Sequence, residues 1–162
     1  MFTKGLDKLP AEIDRGRLFT FIADFAAGTW PEAGKARLVE WAEQRGGDYA
    51  GETLLATVVP SMSSMGDEQV RAAFAGLSYG PRLEIAITNS IITRGDIDSW
   101  AGWIDGQNFP VSGMAVDSLA ERLVRARPDQ ADAFVGNSAL TGVFSDALRS
   151  QLAGYLERNG GK

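Results

Sequence analysis

The sequence predicts an all-α fold of about nine helices arranged as stacked antiparallel pairs, and three observations carry that expectation. Apolar residues recur three and four apart through most of the 162 residues. Prolines and acidic residues open these stretches while glycines close them. No stretch sustains the period-two alternation of a half-buried strand.

The first helix is expected from Pro10 to Ala26. Pro10 stands at the first helical position, Gly28 beyond the end, and Ile13, Leu18, Phe21, Ile22 and Phe25 form one apolar face. The second runs from Pro31 to Arg45, with Leu38, Trp41, Ala42 and Arg45 in register and Gly46-Gly47 as its stop. Trp30, just ahead of Pro31, is placed to staple its start. Asp48 caps a third helix bearing Leu54, Leu55, Val58 and Val59 up to Pro60. Its TLLATVVP run is the most strand-like in the chain, but the periodic segment from Asp48 is longer than a typical strand.

Asp67 opens a fourth helix with Val70, Ala73, Phe74 and Leu77. Gly80-Pro81 leads into a fifth carrying Leu83, Ala86, Ile87, Ile91 and Ile92; the nearly uncharged LEIAITNSII marks it as the most buried. Asp96 or Asp98 opens a sixth, with Ile97, Trp100, Ala101 and Ile104. Pro110 leads into Val116, Leu119, Ala120 and Leu123, and Pro128 opens a short helix with Ala131, Phe134 and Val135. The last helix uses Phe144, Leu148, Leu152, Tyr155 and Leu156. One domain is expected over 1–162: an N-terminal helix in 1–28, helix pairs over 29–158, and a disordered tail, 159–162.

The helix pairs recur. Asp67, Asp96 and Pro128 lie 29 and 32 residues apart, each opening a short helix with an aromatic (Phe74, Trp103, Phe134) before a longer apolar one; Pro31 to Asp67 adds a 36-residue unit. In ARPDQADAFVG, RGDIDSWAGWIDG and the long helix after each, the chain resembles helical-repeat proteins of the tetratricopeptide or HEAT type. The resemblance spans about Pro31 to Glu157 and implies a short α-solenoid with an extended surface for another chain. The strict tetratricopeptide set of Trp, Leu-Gly, Tyr, Ala, Phe and Pro is not met, and the alternative fold is an irregular helical bundle. Nineteen glycines are many for a helical chain, and Gly16, Gly34, Gly51, Gly102 and Gly154 fall inside expected helices. Close helix approach is the expected reason for some of them.

Composition narrows the chemistry. With 44% apolar and 23% charged residues the chain is of ordinary globular make-up, not a disordered one. A net charge of −5 argues against a surface built to neutralise phosphates, so no nucleic acid is expected as a partner. There is no cysteine and no histidine, which removes disulfides, thiolate nucleophiles, Ser-His-Asp triads and imidazole-ligated metals. No phosphate-loop motif occurs, and no cofactor or metal is expected. No apolar run approaches the ~18 residues of a membrane span. MFTKGLDKLPAEIDRGRL lacks a signal peptide's apolar stretch, so a soluble, cytoplasmic protein is expected.

Carboxylates are the remaining acid–base groups. Asp96, Asp98 and Asp105 cluster around one short helix, and Glu12 and Asp14 around another, where capping and the helix dipole also favour acids. The polar Ser61–Met65 stretch reads as a surface loop.

The functional expectation is a non-catalytic protein–protein interaction or scaffold module. The alternatives are an assembly subunit of a larger complex, docking through Phe19, Phe21 and Phe25, and a carboxylate-based enzyme. The candidate contact residues are Trp100, Trp103 and Phe109, since aromatics dominate binding hot spots, with Arg122 and Arg125 as a basic edge. The same aromatics also suit the seam between helix pairs. The partner is expected to be another protein, with self-association left open.

Overall fold

A computed structural model describes Gly5, Lys8 and residues 15–160. The described residues form nine α-helices joined by turns, without strands. They are α1 (Arg15–Thr29), α2 (Glu32–Glu43), α3 (Tyr49–Val58), α4 (Asp67–Ala75), α5 (Pro81–Thr93), α6 (Ile97–Gln107), α7 (Gly113–Ala126), α8 (Pro128–Gly136) and α9 (Val143–Gly160). A single 3-10 turn, Val59–Ser61, follows α3 at Pro60. The chain forms two compact units, 1–86 and 87–162, with the division falling inside α5. Pro10, Glu12, Ile13 and Asp14, assigned above to the first helix, lie outside the described residues.

In the first unit α1 and α2 pack on α3, and α4 joins α3 and the 3-10 turn. Asp48 caps α3 by accepting the Ala50 N–H at 3.1 Å, as its short polar side chain predicts. Burial within α3 is continuous except at Tyr49, Glu52 and Thr57. This corrects the expectation for α5, which leaves Ile85 exposed: α3 is the more buried of the two because α1, α2 and α4 all pack against it. The α2–α3 crossing is close enough that a Cβ on Gly51 would lie 2.8 Å from the Ala42 carbonyl oxygen.

The buried stripe of α1 is Phe19, Ala23 and Ala26, at i, i+4 and i+7. Phe19 stacks on Trp41 of α2, ring centroids 5.7 Å apart. Phe21 and Phe25, expected on the inner face, stand on the outer one. The small alanines are what let α1 approach its neighbours. The expected Ser61–Met65 loop is tied down: Lys35 Nζ donates to the Ser61 carbonyl at 3.1 Å, and Glu32 accepts from the Ser63 and Ser64 N–H groups and the Ser64 hydroxyl.

In the second unit α9 packs on α7, α8 and α6, while α8 also meets α6 and α7. Its buried positions include Trp100, Ile104, Leu119, Leu123, Phe134, Leu148 and Leu152, all named by the sequence periodicity. Asp96 caps α6 through the Ser99 N–H, and Asn108, at φ 54°, turns the chain out of it in the left-handed region. Arg127 donates to the carbonyls of Ile91 and Gly95, satisfying oxygens at the end of α5 that the helix itself leaves open. Asn159 and Gly160 continue α9, so the helix reaches into the segment expected to be a tail.

Candidate functional site

The three aromatics singled out from sequence do form one cluster in the second unit. Trp100 meets Trp103 edge-on at 5.7 Å, and Trp103 meets Phe109 at 5.3 Å. Trp100 is fully buried, however, while Trp103 and Phe109 are half-buried. Trp100 is thus a core residue and not part of a contact edge, because i, i+3 spacing put it on the same inward stripe as Ile97 and Ile104. Arg122 and Arg125 are exposed, and each has a neighbour on the surface: Arg122 donates to Asn89 Oδ1 at 2.9 Å, and Arg125 pairs with Glu121 one turn back. Exposed pairs of this kind contribute little.

The clustered acids hold structure together. Asp96 is the α6 cap. Asp98 accepts from the Asn137 side-chain amide at 3.1 Å, joining α6 to the segment after α8. Asp105 accepts the N–H groups of Phe144 and Ser145 and the Ser145 hydroxyl, so one carboxylate caps the start of α9 from the end of α6. Among the described residues no three acidic side chains converge as a metal-holding group. Lys35 approaches the backbone of Ser61 and not a serine hydroxyl, so it forms no Ser–Lys dyad there.

The most exposed aromatic side chains lie instead in the first unit. Phe21 is 67% exposed, Phe25 52% and Tyr49 61%. The two phenylalanine rings stack on each other at 6.1 Å along the outer face of α1. Phe21 and Tyr49 flank a groove of about 510 Å³, whose walls also carry Arg17, Arg82, Thr20 and Asp24. Arg82 is anchored there by donating to Thr20 Oγ1 at 2.8 Å. Among the described residues the groove walls carry two arginines and one aspartate.

Beside the groove, sharing Tyr49 and Arg82 with it, lies a smaller and more enclosed hollow of about 230 Å³. Its walls come from α3 (Glu52, Thr53, Ala56), from the α4–α5 connection (Leu77, Tyr79) and from the first turn of α5 (Leu83). Tyr79 donates to Glu84 Oε2 at 2.7 Å, and Glu52 accepts the Ser78 N–H at 3.1 Å, so both sides are pinned. Burial, followed by the Glu84 carboxylate, pushes the Tyr79 phenol well above its ordinary value of 10.0, and it stays protonated at neutral pH. Thr53 is 1% exposed, and its hydroxyl has no hydrogen-bond partner among the described residues. An unmet buried hydroxyl costs about 1–3 kcal/mol.

No family model matches the chain, and comparison with curated proteins and with solved structures likewise gave no match. Function therefore has to be argued from the two neighbouring concavities and the faces around them. Among the described residues no helix is long and apolar enough to cross a membrane.

Sequence names Phe21 and Phe25, with Phe19, as an alternative docking face, but it does not reach the groove beside them. Phe21 and Phe25 are four apart, the same spacing as a core stripe, so periodicity assigns them to the inner face of α1. The available signal was Phe19-Ala23-Ala26, a second stripe on the same helix that competes for the inner face.

Proposed function

We propose that the chain is a non-catalytic protein-binding module whose contact face is the outer side of α1 with the groove between Phe21 and Tyr49. The observation that carries this reading is the exposure of three large aromatic side chains on one part of the first unit, two of them stacked. Contiguous exposed aromatics raise the free energy of a chain in water and mark contact surfaces more often than chance. Arg17 and Arg82 give the groove its sign. The matching partner is a protein segment bearing large apolar side chains next to carboxylates, which would bury the rings and neutralise the arginines together.

The test is affinity capture from the native lysate with the tagged chain and a Phe21→Ser/Phe25→Ser variant side by side. A companion held by the native chain and lost from the variant, with the helical circular-dichroism signal unchanged, supports the reading. A companion retained equally by both, or no companion at all, overturns it. A central hot-spot aromatic is worth ~2 kcal/mol or more on truncation, about a thirtyfold loss of affinity.

A further inference from the structure

We infer that the partner for the outer face of α1 is a second copy of this chain, whose own α1 lies antiparallel across a two-fold axis. The inference rests on the partner reading above and names the occupant of that face.

The helix α1 supplies both halves of the match. The partner reading calls for large apolar side chains next to carboxylates, and α1 itself carries Phe21, Asp24 and Phe25. With 3.6 residues per turn, Arg17, Phe21, Asp24, Phe25 and Gly28 fall on one side of the helix, and all five are exposed. The opposite side holds the buried Phe19, Ala23 and Ala26. The outward stripe therefore has a cation at its N-terminal end and a carboxylate between two rings further on. Arg17 and Asp24 are separated by about 10 Å along the helix axis.

A two-fold axis through Phe21 reverses that order in the second copy. Position 17 of one copy then faces position 25 of the other, so Arg17 lies beside Asp24 and Phe25 of the second copy, and the same contact repeats on the far side of the axis. Each contact joins a guanidinium to a carboxylate and to an aromatic ring. A parallel pairing would instead set Arg17 against Arg17 and Asp24 against Asp24.

The groove supplies the room. Gly16 and Thr20, both small, line it at the end of α1 where the axis brings Phe25 of the second copy. Its volume of about 510 Å³ accommodates a phenyl ring. Arg82, held by its hydrogen bond to Thr20, borders the same place and offers a second guanidinium to the incoming Asp24. A knob and a hollow at opposite ends of one stripe are self-complementary, as an isologous interface requires.

Size sets the strength. The 15-residue α1 is about 22 Å long and about 10 Å across. Such a face falls below the roughly 800 Å² per partner of a standard-size interface, so a dissociation constant of about 10–100 µM is expected.

The test is sedimentation equilibrium of the full chain from about 5 µM to 1 mM, which brackets that constant. The native chain is expected to move from the monomer mass toward twice it. Arg17→Glu and Asp24→Arg each set like charges at both contacts, and each alone is expected to weaken self-association by about tenfold or more. Mixing these two chains is expected to restore it. The acid placed at 17 then faces the base placed at 24, and native Arg17 faces native Asp24 at the other contact. All the altered side chains are exposed, so the helical circular-dichroism signal should not change. A native chain that is monomeric at 1 mM overturns the inference without any variant. So does either reversal associating as the native chain does, or two folded reversals that fail to associate on mixing. Self-association that survives Phe21→Ser/Phe25→Ser overturns it as well. A monomeric native chain that still captures a different protein through Phe21 and Phe25 overturns this inference alone, whereas loss of every companion dependent on those rings removes the partner reading too.

Discussion

At Gly142 one hydrogen atom in place of a methyl decides whether α9 can be capped. A Cβ there would overlap the carboxylate of Asp105, the group that accepts from the Phe144 and Ser145 N–H groups. Gly142→Ala is expected to push Asp105 off the helix start and destabilise the fold by about 1–3 kcal/mol. Asp105→Ala, which removes the cap but not the glycine, is expected to cost about 0.5–2 kcal/mol. Urea midpoints of the two variants and the double variant check this. Because both act on one contact, the double variant should cost clearly less than their sum. Glu32 gives a residue-scale pH test. Its carboxylate lies below the ordinary 4.5, chiefly because the Ser64 hydroxyl donates to it, with the Ser64 and Ser63 N–H groups and Lys35 adding to the effect. A depressed folded value means the contribution is complete above 4.5 and is lost as the pH falls through the lower folded value. The Ser63 and Ser64 amide shifts should therefore titrate with a midpoint below 4.5. A transition at or above 4.5 would show that Glu32 does not hold the loop.

The helices show which parts of the fold sequence periodicity can reach. Leu38, Trp41 and Ala42 of α2, and Leu119, Ala120 and Leu123 of α7, are buried as their spacing predicts, because each helix carries one dominant apolar stripe. Reading α1 failed because it carries two stripes, and only packing against α2 and α3 chooses Phe19-Ala23-Ala26 over Phe21-Phe25. That choice hid the groove beside Phe21, although Phe21 and Phe25 already stood with Phe19 as an alternative docking face, while the Trp100 assignment failed for the opposite reason, a stripe taken for an edge. The cavity had no local signature at all, since Thr53 and Leu77 meet only in the folded unit. Glycines divide in the same way. Gly51→Ala is expected to destabilise by about 1–3 kcal/mol, because its methyl would press on the α2 backbone at Ala42. Gly154→Ala, with open space around it in the middle of α9, is expected to stabilise by up to about 1 kcal/mol. Thermal unfolding of the two single variants reads both signs, and two shifts in the same direction would refute the close approach at Gly51.

Across the whole molecule, charge and exposed aromatic surface are distributed in opposite senses. The chain carries a net charge of −5, yet the groove flanked by Phe21 and Tyr49 is walled by Arg17 and Arg82 against the single Asp24. An acidic protein repels acidic partners in general, so a cationic groove makes one part of its surface the exception and steers such a partner there. This yields a salt response for the groove. Between about 0.1 M and 1 M salt the screening length falls from roughly 10 Å to 3 Å. Association with a carboxylate-bearing partner should weaken several-fold over that range. Titrations at the two salt concentrations check this. Hydroxyl-radical footprinting supplies the location: Phe21, Phe25 and Tyr49 should label readily in the free chain, fully buried Trp100 and Phe134 should not, and the partner should protect the first three while leaving exposed Met114 unchanged. Protection at Met114 instead would move the contact face to the second unit, and binding insensitive to salt would remove the arginines from it.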